Sequence, residues 1–441
     1  MEQRTISTAS MRSTELFRHF RKDPIALLRT LAKERPGETC DFKFAGRRIL
    51  LLQDPLLIEQ VLVESAPSFE KGPGLLRSKA VLGDGLLTRP TAGHPERKRR
   101  LQPAFRKAQA DAHVPAICEI ASAWAGNVQA NTPVNLHSEM MGITLRAVSE
   151  TIFNSTALPE TQSVAESVVT ALRELYSPLV QRQNGEGRGC HHSGETAHAV
   201  ERLESSLGSV LKARRPTLDP RSDFFSLLAG EQDGALSPQE IRDDAVSVYL
   251  AGHESTANCL SWTWYALSQN PNVAAEFHRE IDALSNVTNF AIAAPDFTNL
   301  TYTRRILLES MRLYPPAWML SREAREPLHL GEHALSAHDI VVAAQCVTHV
   351  DSRYYEDPMR FNPDRWLPEV SDGRPKFSYF PFGAGPRVCI GENFAYNELL
   401  TILAVVGSRW RFDVCEQTDP TPEPLVTLRP KHGMVLVPKL R

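Results

Sequence analysis

Cys389 sits between glycines, two residues after an arginine, in the stretch Phe382-Gly383-Ala384-Gly385-Pro386-Arg387-Val388-Cys389-Ile390-Gly391. A thiolate on such a turn is a soft, electron-rich axial ligand for haem iron, and thiolate ligation pushes electron density toward O–O cleavage. Glycine has no Cβ, so backbone can approach a flat ligand and turn where other residues clash. Amides around the cysteine, and those opening the helix-like run from Glu392 to Val406, would stabilise the anion. Arg387 supplies a charge able to hold a propionate. The competing interpretation is a surface Gly/Pro turn around an inert cysteine.

A second polar constellation interrupts what should be a long helix. Ser237-Pro238-Gln239-Glu240 is a helix start, with Ser at the N-cap, Pro at the first position and Glu three residues after the cap. The helical pattern runs to Asn270, where Pro271 stops it. That is about 50 Å at 1.5 Å per residue. Its middle is Ala251-Gly252-His253-Glu254-Ser255-Thr256. Glycine there costs about 1 kcal/mol against alanine, and Ser255 can bond back to the Ala251 carbonyl and loosen the ladder. Polar residues facing solvent beside a tolerated glycine are the alternative.

Charged residues cluster at three further places. Ile306 to Leu313 is an amphipathic helix closed by Pro315-Pro316, with Glu309 and Arg312 on one face at i, i+3. Phe361-Asn362-Pro363-Asp364-Arg365-Trp366 follows, and upstream lies the basic stretch from His94 to Phe105. Strand-like segments fall at Phe42–Leu52 and Ile340–Cys346.

The string from Phe382 to Gly391 resembles the haem-binding loop of the cytochrome P-450 family at every position of its pattern. The family's other motif groups follow in order from about Asp23 to Val437. The resemblance implies a mainly α fold with small β-sheets, a triangular helical prism with haem b between a long distal helix and the Cys loop. Cys389 would be the metal ligand, with Phe382, Gly383, Arg387 and Gly391 binding the cofactor around it. Glu254 matches the acid and Ser255 the alcohol that open the distal helix beside dioxygen and relay protons, with Thr256 adjacent. Most members carry threonine where this chain has Ser255; serine keeps the hydroxyl but loses the methyl that restricts χ1. His94 and Lys98 match two propionate partners, although the second is usually arginine, so Arg99 is a candidate to share its role. Arg322 is a further propionate candidate. Glu309, Arg312 and Arg365 match a buried structural network.

The same resemblance places Val81, Leu82, Val248, Ala251, Ala317, Trp318, Met319 and Val426 around a substrate pocket. All lack charge, implying a hydrophobic small molecule such as a terpenoid, fatty acyl or polyketide-like compound. Core packing is the alternative for each. By the same resemblance, dioxygen would be the co-substrate for hydroxylation or epoxidation. Electrons would come from a ferredoxin or flavodoxin and its reductase, with NAD(P)H acting only through them. The basic run from Arg97 to Lys107 is a candidate docking face for a small acidic redox protein, or a plain solvated face.

Composition sets outer bounds. The formal net charge of −3 argues against nucleic acid as a partner. No apolar run approaches the roughly 20 residues that span a bilayer, and the first residues hold no signal-like core. A soluble cytoplasmic enzyme without a membrane anchor is the expectation. It would be one domain over 23–441, with 1–22 an N-terminal extension open to disorder. Seven scattered cysteines without zinc or disulfide spacing fit a reducing compartment. Cys190-His191-His192 is a weak metal-binding candidate in a polar, loop-like stretch. Two rival functions remain: a peroxide-dependent, isomerase or dehydratase haem-thiolate enzyme, and a non-catalytic haem-binding or gas-sensing protein. Glu254 and Ser255 weigh against both, since neither rival needs an acid–alcohol relay.

Overall fold

Ser237 begins the longest helix among the described residues in the way its sequence predicts. The Glu240 amide donates to Ser237 Oγ at 3.3 Å, and the Ser237 amide donates to the Glu240 carboxylate at 3.1 Å, closing a capping box. The helix runs Pro238–Gln269 and ends before Pro271. The computed structural model describes residues 13–155, 224–229, 236–288 and 292–441, with a few positions between 167 and 209. Residues 1–12 and the Cys190-His191-His192 tract lie outside the described residues.

In chain order the main helices are α1 (Ser13–Lys22), α2 (Pro24–Glu34), α3 (His94–Leu101), α4 (Val114–Asn127), α5 (Leu136–Thr151), α6 (Pro238–Gln269), α7 (Pro271–Thr288), α8 (Thr301–Leu313) and α9 (Glu392–Arg409). The strands are β1 (Cys40–Phe44), β2 (Arg47–Leu52), β3 (Phe69–Lys71), β4 (Val134–Asn135), β5 (Leu320–Ala324), β6 (Leu328–Leu330), β7 (His333–Leu335), β8 (Ile340–Ala343), β9 (Trp410–Val414), β10 (Pro422–Pro424), β11 (Leu428–Pro430) and β12 (Val435–Leu440). The contacts divide these elements into two compact units. The first comprises the chain up to Arg77, Ala317–Arg360 and Gly373–Cys389; the second comprises Ser78–Pro316, Phe361–Asp372 and Ile390–Arg441.

A five-stranded sheet of order β1-β2-β8-β5-β3 organises the first unit. Its β2–β8 pair is parallel and the other pairs are antiparallel. Leu50, Leu52, Phe69, Val341, Ala343 and Phe380 belong to the apolar cluster beneath it. The expected Phe42–Leu52 strand is a hairpin, because Ala45 and Gly46 turn at φ +48° and +79°, the left-handed pair of a tight hairpin turn. The Ile340–Cys346 strand stops at Ala343, and Gln345–Thr348 is helical. Residues 13–22, expected to belong to an extension, form α1, whose Phe17 and Phe20 rings lie 5.7 and 5.1 Å from the Phe44 ring. Apolar anchoring of that kind orders a terminus.

In the second unit α6 is buried along most of its length and packs against α5, α8 and α9. A helix with few exposed positions needs apolar or internally satisfied residues all round. Trp262 stacks on Tyr314 at 4.5 Å, and Trp264 meets the edge of Phe277 at 5.8 Å. A three-stranded sheet β4-β12-β9 and the hairpin β10–β11 complete the unit.

Candidate active site

The Cys389 loop is built from backbone constraints. Gly383 and Gly385 adopt φ +70° and +63°. A Cβ on Gly385 would lie 2.1 Å from the Leu62 carbonyl oxygen, so no other residue fits there. The Cys389 amide donates to the Phe382 carbonyl at 3.0 Å and the Val388 amide to the Gly385 carbonyl at 3.1 Å. Cys389 is the only exposed cysteine among the described residues. Burial pushes the Cys259 and Cys346 thiols up to about 12, which keeps both neutral and inert. Gly391 is the N-cap of α9.

The same unit carries a cluster of three cations, of which the sequence revealed two. Lys71 on β3 lies directly opposite Arg322 on β5 in an antiparallel register, a like-charge pairing that opposes folding. By surface area Lys71, Arg322 and Arg387 are half-buried, and the protein around their charged heads withdraws much of their solvation. Desolvation, followed by the Arg322 and Arg387 charges, holds the Lys71 ammonium well below the ordinary lysine range. Desolvation and Arg387 push Arg322 down to about 10. Desolvation also lowers Arg387, against the pull of Glu70. Three such cations beside a soft sulfur donor fit a planar iron cofactor bearing two carboxylates. Arg322 and Arg387 were expected among its partners; Lys71 was not.

Helix α3 presents His94 and Lys98 one turn apart, His94 buried and Lys98 half-buried. Arg99 is exposed. The basic run is less of a surface than its sequence suggests. Arg97 is buried and bridges Asp244 and Glu240 of α6, and Arg100 Nε donates to the Leu227 carbonyl at 2.8 Å. Arg99, Arg106 and Lys107 remain exposed.

At the middle of α6, Glu254 and Thr256 are buried while Ser255 is half-buried and Ala251 exposed. Ser255 Oγ donates to the Ala251 carbonyl at 2.7 Å and Thr256 Oγ1 to the Gly252 carbonyl at 3.2 Å. The helix is nevertheless unbroken here, unlike the opened helix that the family resemblance implies. Gly252 has a packing reason instead: a Cβ would lie 3.0 Å from Val148 Cγ2 of α5. His253 is buried, and desolvation pushes it down to about 4, so it is neutral near pH 7. Glu254 Oε1 accepts from Thr427 Oγ1 at 2.7 Å. Sequence reasoning also passed over Glu398 on α9. Burial raises its carboxyl well above the ordinary range, and the Thr256 hydroxyl is the group that opposes this rise.

Glu309, Arg312 and Arg365 come together as expected. Arg312 makes a fork of two 2.8 Å bonds to the Glu309 carboxylate, which also accepts from Arg365 Nε at 2.9 Å. The Asn362 amide and Trp366 Nε1 add bonds of 2.9 and 3.0 Å. All three charged residues are buried, and the network clamps the 361–366 turn onto α8.

Of the pocket candidates, Val81 and Leu82 are fully buried, as core residues would be, and Val248 and Trp318 nearly so. Ala317, Met319 and Val426 are half-buried, and Ala251 is exposed. Val426 lies in the turn between β10 and β11, next to Thr427.

A cysteine loop with an anion cradle and a separate helix bearing an acid and two alcohols define the chemistry of a haem-dependent oxidase. Comparison with known proteins makes this specific. The cytochrome P450 family pattern matches residues 15–437, and the chain belongs to that family. It is 32% identical over 424 residues to a cyclooctatin synthase of Streptomyces melanosporofaciens, covering 92% of this chain and 89% of that protein. It is 28% identical to a pentalenene oxygenase of Streptomyces avermitilis, over 85% of this chain and 84% of that protein. The crystal structure of the cytochrome P450DA haem domain shares the fold, with a TM-score of 0.80 at 20% identity, covering 95% of this chain and 93% of that one.

The protein is therefore a haem-dependent monooxygenase that binds haem b and inserts one oxygen atom of dioxygen into a hydrophobic small molecule. Redox partners supply its electrons, and NAD(P)H acts through them. No helix among the described residues is long and apolar enough to cross a membrane.

Proposed function

We propose that Cys389 is the thiolate ligand and that Glu254 and Ser255, with Thr256 beside them, deliver protons for oxygen activation on a terpenoid substrate. The carrying observation is the contrast among thiols: Cys389 is exposed on a glycine-shaped loop, whereas Cys259 and Cys346 are buried and held neutral. Bound haem supplies dioxygen activation and oxygen transfer to a C–H or C=C bond. Phe382, Gly383 and Gly391 shape the loop around the ligand. Arg322, Arg387 and Lys71 hold the propionates, with His94 and Lys98 as the partners from α3.

Ser255 gives its own proton to the Ala251 carbonyl, so its lone pairs are free to accept one from outside and pass it on. Glu254, buried and hydrogen-bonded, is the acid behind it. The uncharged set that includes Val248, Trp318 and Val426 suits an apolar substrate. Among the hydrophobic classes, the names of the cyclooctatin and pentalenene relatives favour a terpenoid. Arg99 and Arg106, exposed near α3, favour docking of an acidic ferredoxin or flavodoxin with its reductase. The activity is that of a cytoplasmic enzyme.

The test is Ser255→Ala. Product formed per NAD(P)H should fall while hydrogen peroxide release rises, because a positioned proton-transfer group contributes about 10²–10⁴-fold to its own step. Ser255→Thr should retain coupling. Unchanged coupling in the alanine variant would move the relay to Thr256.

A further inference from the structure

Glu254 belongs to a hydrogen-bond chain within the second unit. Thr427 Oγ1 donates to Glu254 Oε1 at 2.7 Å, and Asn258 Nδ2 donates to Thr427 Oγ1 at 3.0 Å. Asn258 Oδ1 lies 2.9 Å from His137 Nε2. The direction of the chain follows from its end. Thr427 Oγ1 is the donor to Glu254, so its single proton is used there and the hydroxyl oxygen accepts from Asn258. That fixes the Asn258 amide with its nitrogen toward Thr427 and its oxygen toward His137, which must then carry its proton on Nε2. Each donor thus points the same way, and bonds so aligned polarise one another in a low-dielectric interior.

Asn258 is fully buried and Glu254 only 5% exposed, while Thr427 and His137 are half-buried. A carboxamide does not pass protons along as a hydroxyl or water does, so this chain orients the acid rather than feeding it. Thr427 itself is held by the hairpin that carries it. The Leu428 amide donates to the Pro316 carbonyl at 2.9 Å, and Trp262 Nε1 donates to the Leu428 carbonyl at 3.4 Å. Three elements distant in sequence, α5, α6 and the β10–β11 turn, are therefore linked by one chain that includes the Glu254 carboxylate.

We propose that Thr427 is a positioning residue for Glu254, fixing the rotation of its carboxylate so that protons are delivered in step with electrons. The inference rests on Glu254 being the relay acid. It also gives the 425–427 turn, where Val426 lies, a role in coupling as well as in substrate contact.

The experiment uses the haem-loaded protein carrying Thr427→Val, which keeps the side-chain shape without the hydroxyl, and Thr427→Ser, which keeps the hydroxyl. The first readout needs no turnover. The infrared difference between wild type and Glu254→Gln carries the Glu254 carboxylate stretch, and this band should shift in Thr427→Val and return in Thr427→Ser. The second readout is peroxide released per NAD(P)H during aerobic turnover with a ferredoxin and its reductase. Thr427→Val should raise it several-fold, Thr427→Ser should match wild type, and Thr427→Val added to Glu254→Gln should change nothing further. An unshifted band overturns the inference at the bond. A shifted band with unchanged peroxide overturns the role. If Glu254→Gln leaves peroxide release unchanged, the relay assignment fails and the inference falls with it.

Discussion

Glu309 in the second unit accepts bonds from Arg312, Arg365, Trp366 and the Asn362 amide, whereas in the first unit Lys71 faces Arg322 across two strands with Arg387 acting on both. Both are groups of three motif-adjacent charged residues withdrawn from water, and their consequences are opposite. In the first, one carboxylate bonds directly to both cations, with a two-bond fork from Arg312, so the charges hold the fold together. In the second, like charges are desolvated against one another, and folding alone gains nothing from the arrangement. Such a cluster makes sense as a seat for an anionic ligand. Oppositely charged groups bonded directly fit a structural network, whereas like charges set side by side fit a candidate binding site.

The comparison can be broken most forcefully at Glu309. Glu309→Gln leaves Arg312 and Arg365 buried without their counter-charge, and should destabilise the protein by about 3–5 kcal/mol in urea unfolding, with or without haem. A loss under 1 kcal/mol would mean that the network is not what clamps the turn. A smaller effect of opposite sign is expected at Lys71. Lys71→Met relieves like-charge repulsion, and should stabilise the haem-free protein by about 0.5–1 kcal/mol. In the haem-loaded protein the same change should speed haem transfer to apomyoglobin about tenfold, as a lost charge-assisted bond would. Equal destabilisation of both forms would make Lys71 an ordinary structural residue and erase the contrast.

These residues also mark where sequence stops informing. The Cys389 loop was legible because its glycines answer to backbone geometry within ten residues. Helix α6 was legible at both ends because Ser237, Glu240 and Pro271 act locally. The Glu309 network could be anticipated, since a family resemblance supplied the long-range partner, Arg365. Lys71 could not, because its importance arises only when β3 pairs with β5 some 250 residues away. Gly252 suggested a loosened helix by itself, and its closeness to Val148 gives it a packing role instead. Arg97 looked like part of a solvated basic face until α6 supplied Asp244 and Glu240. The i, i+4 spacing of those two acids was the one local hint. Thr427 stood unremarked beside Val426 for the same reason: its partners lie on other elements.

The central claim is that Cys389 ligates the haem iron as a thiolate, and the optical spectrum of the reduced, carbon monoxide-treated protein tests it directly. The account predicts a strongly red-shifted Soret band in the wild type and its loss in Cys389→Ala. A red-shifted band that survives in Cys389→Ala, or one absent from correctly folded, haem-loaded wild type, would contradict it.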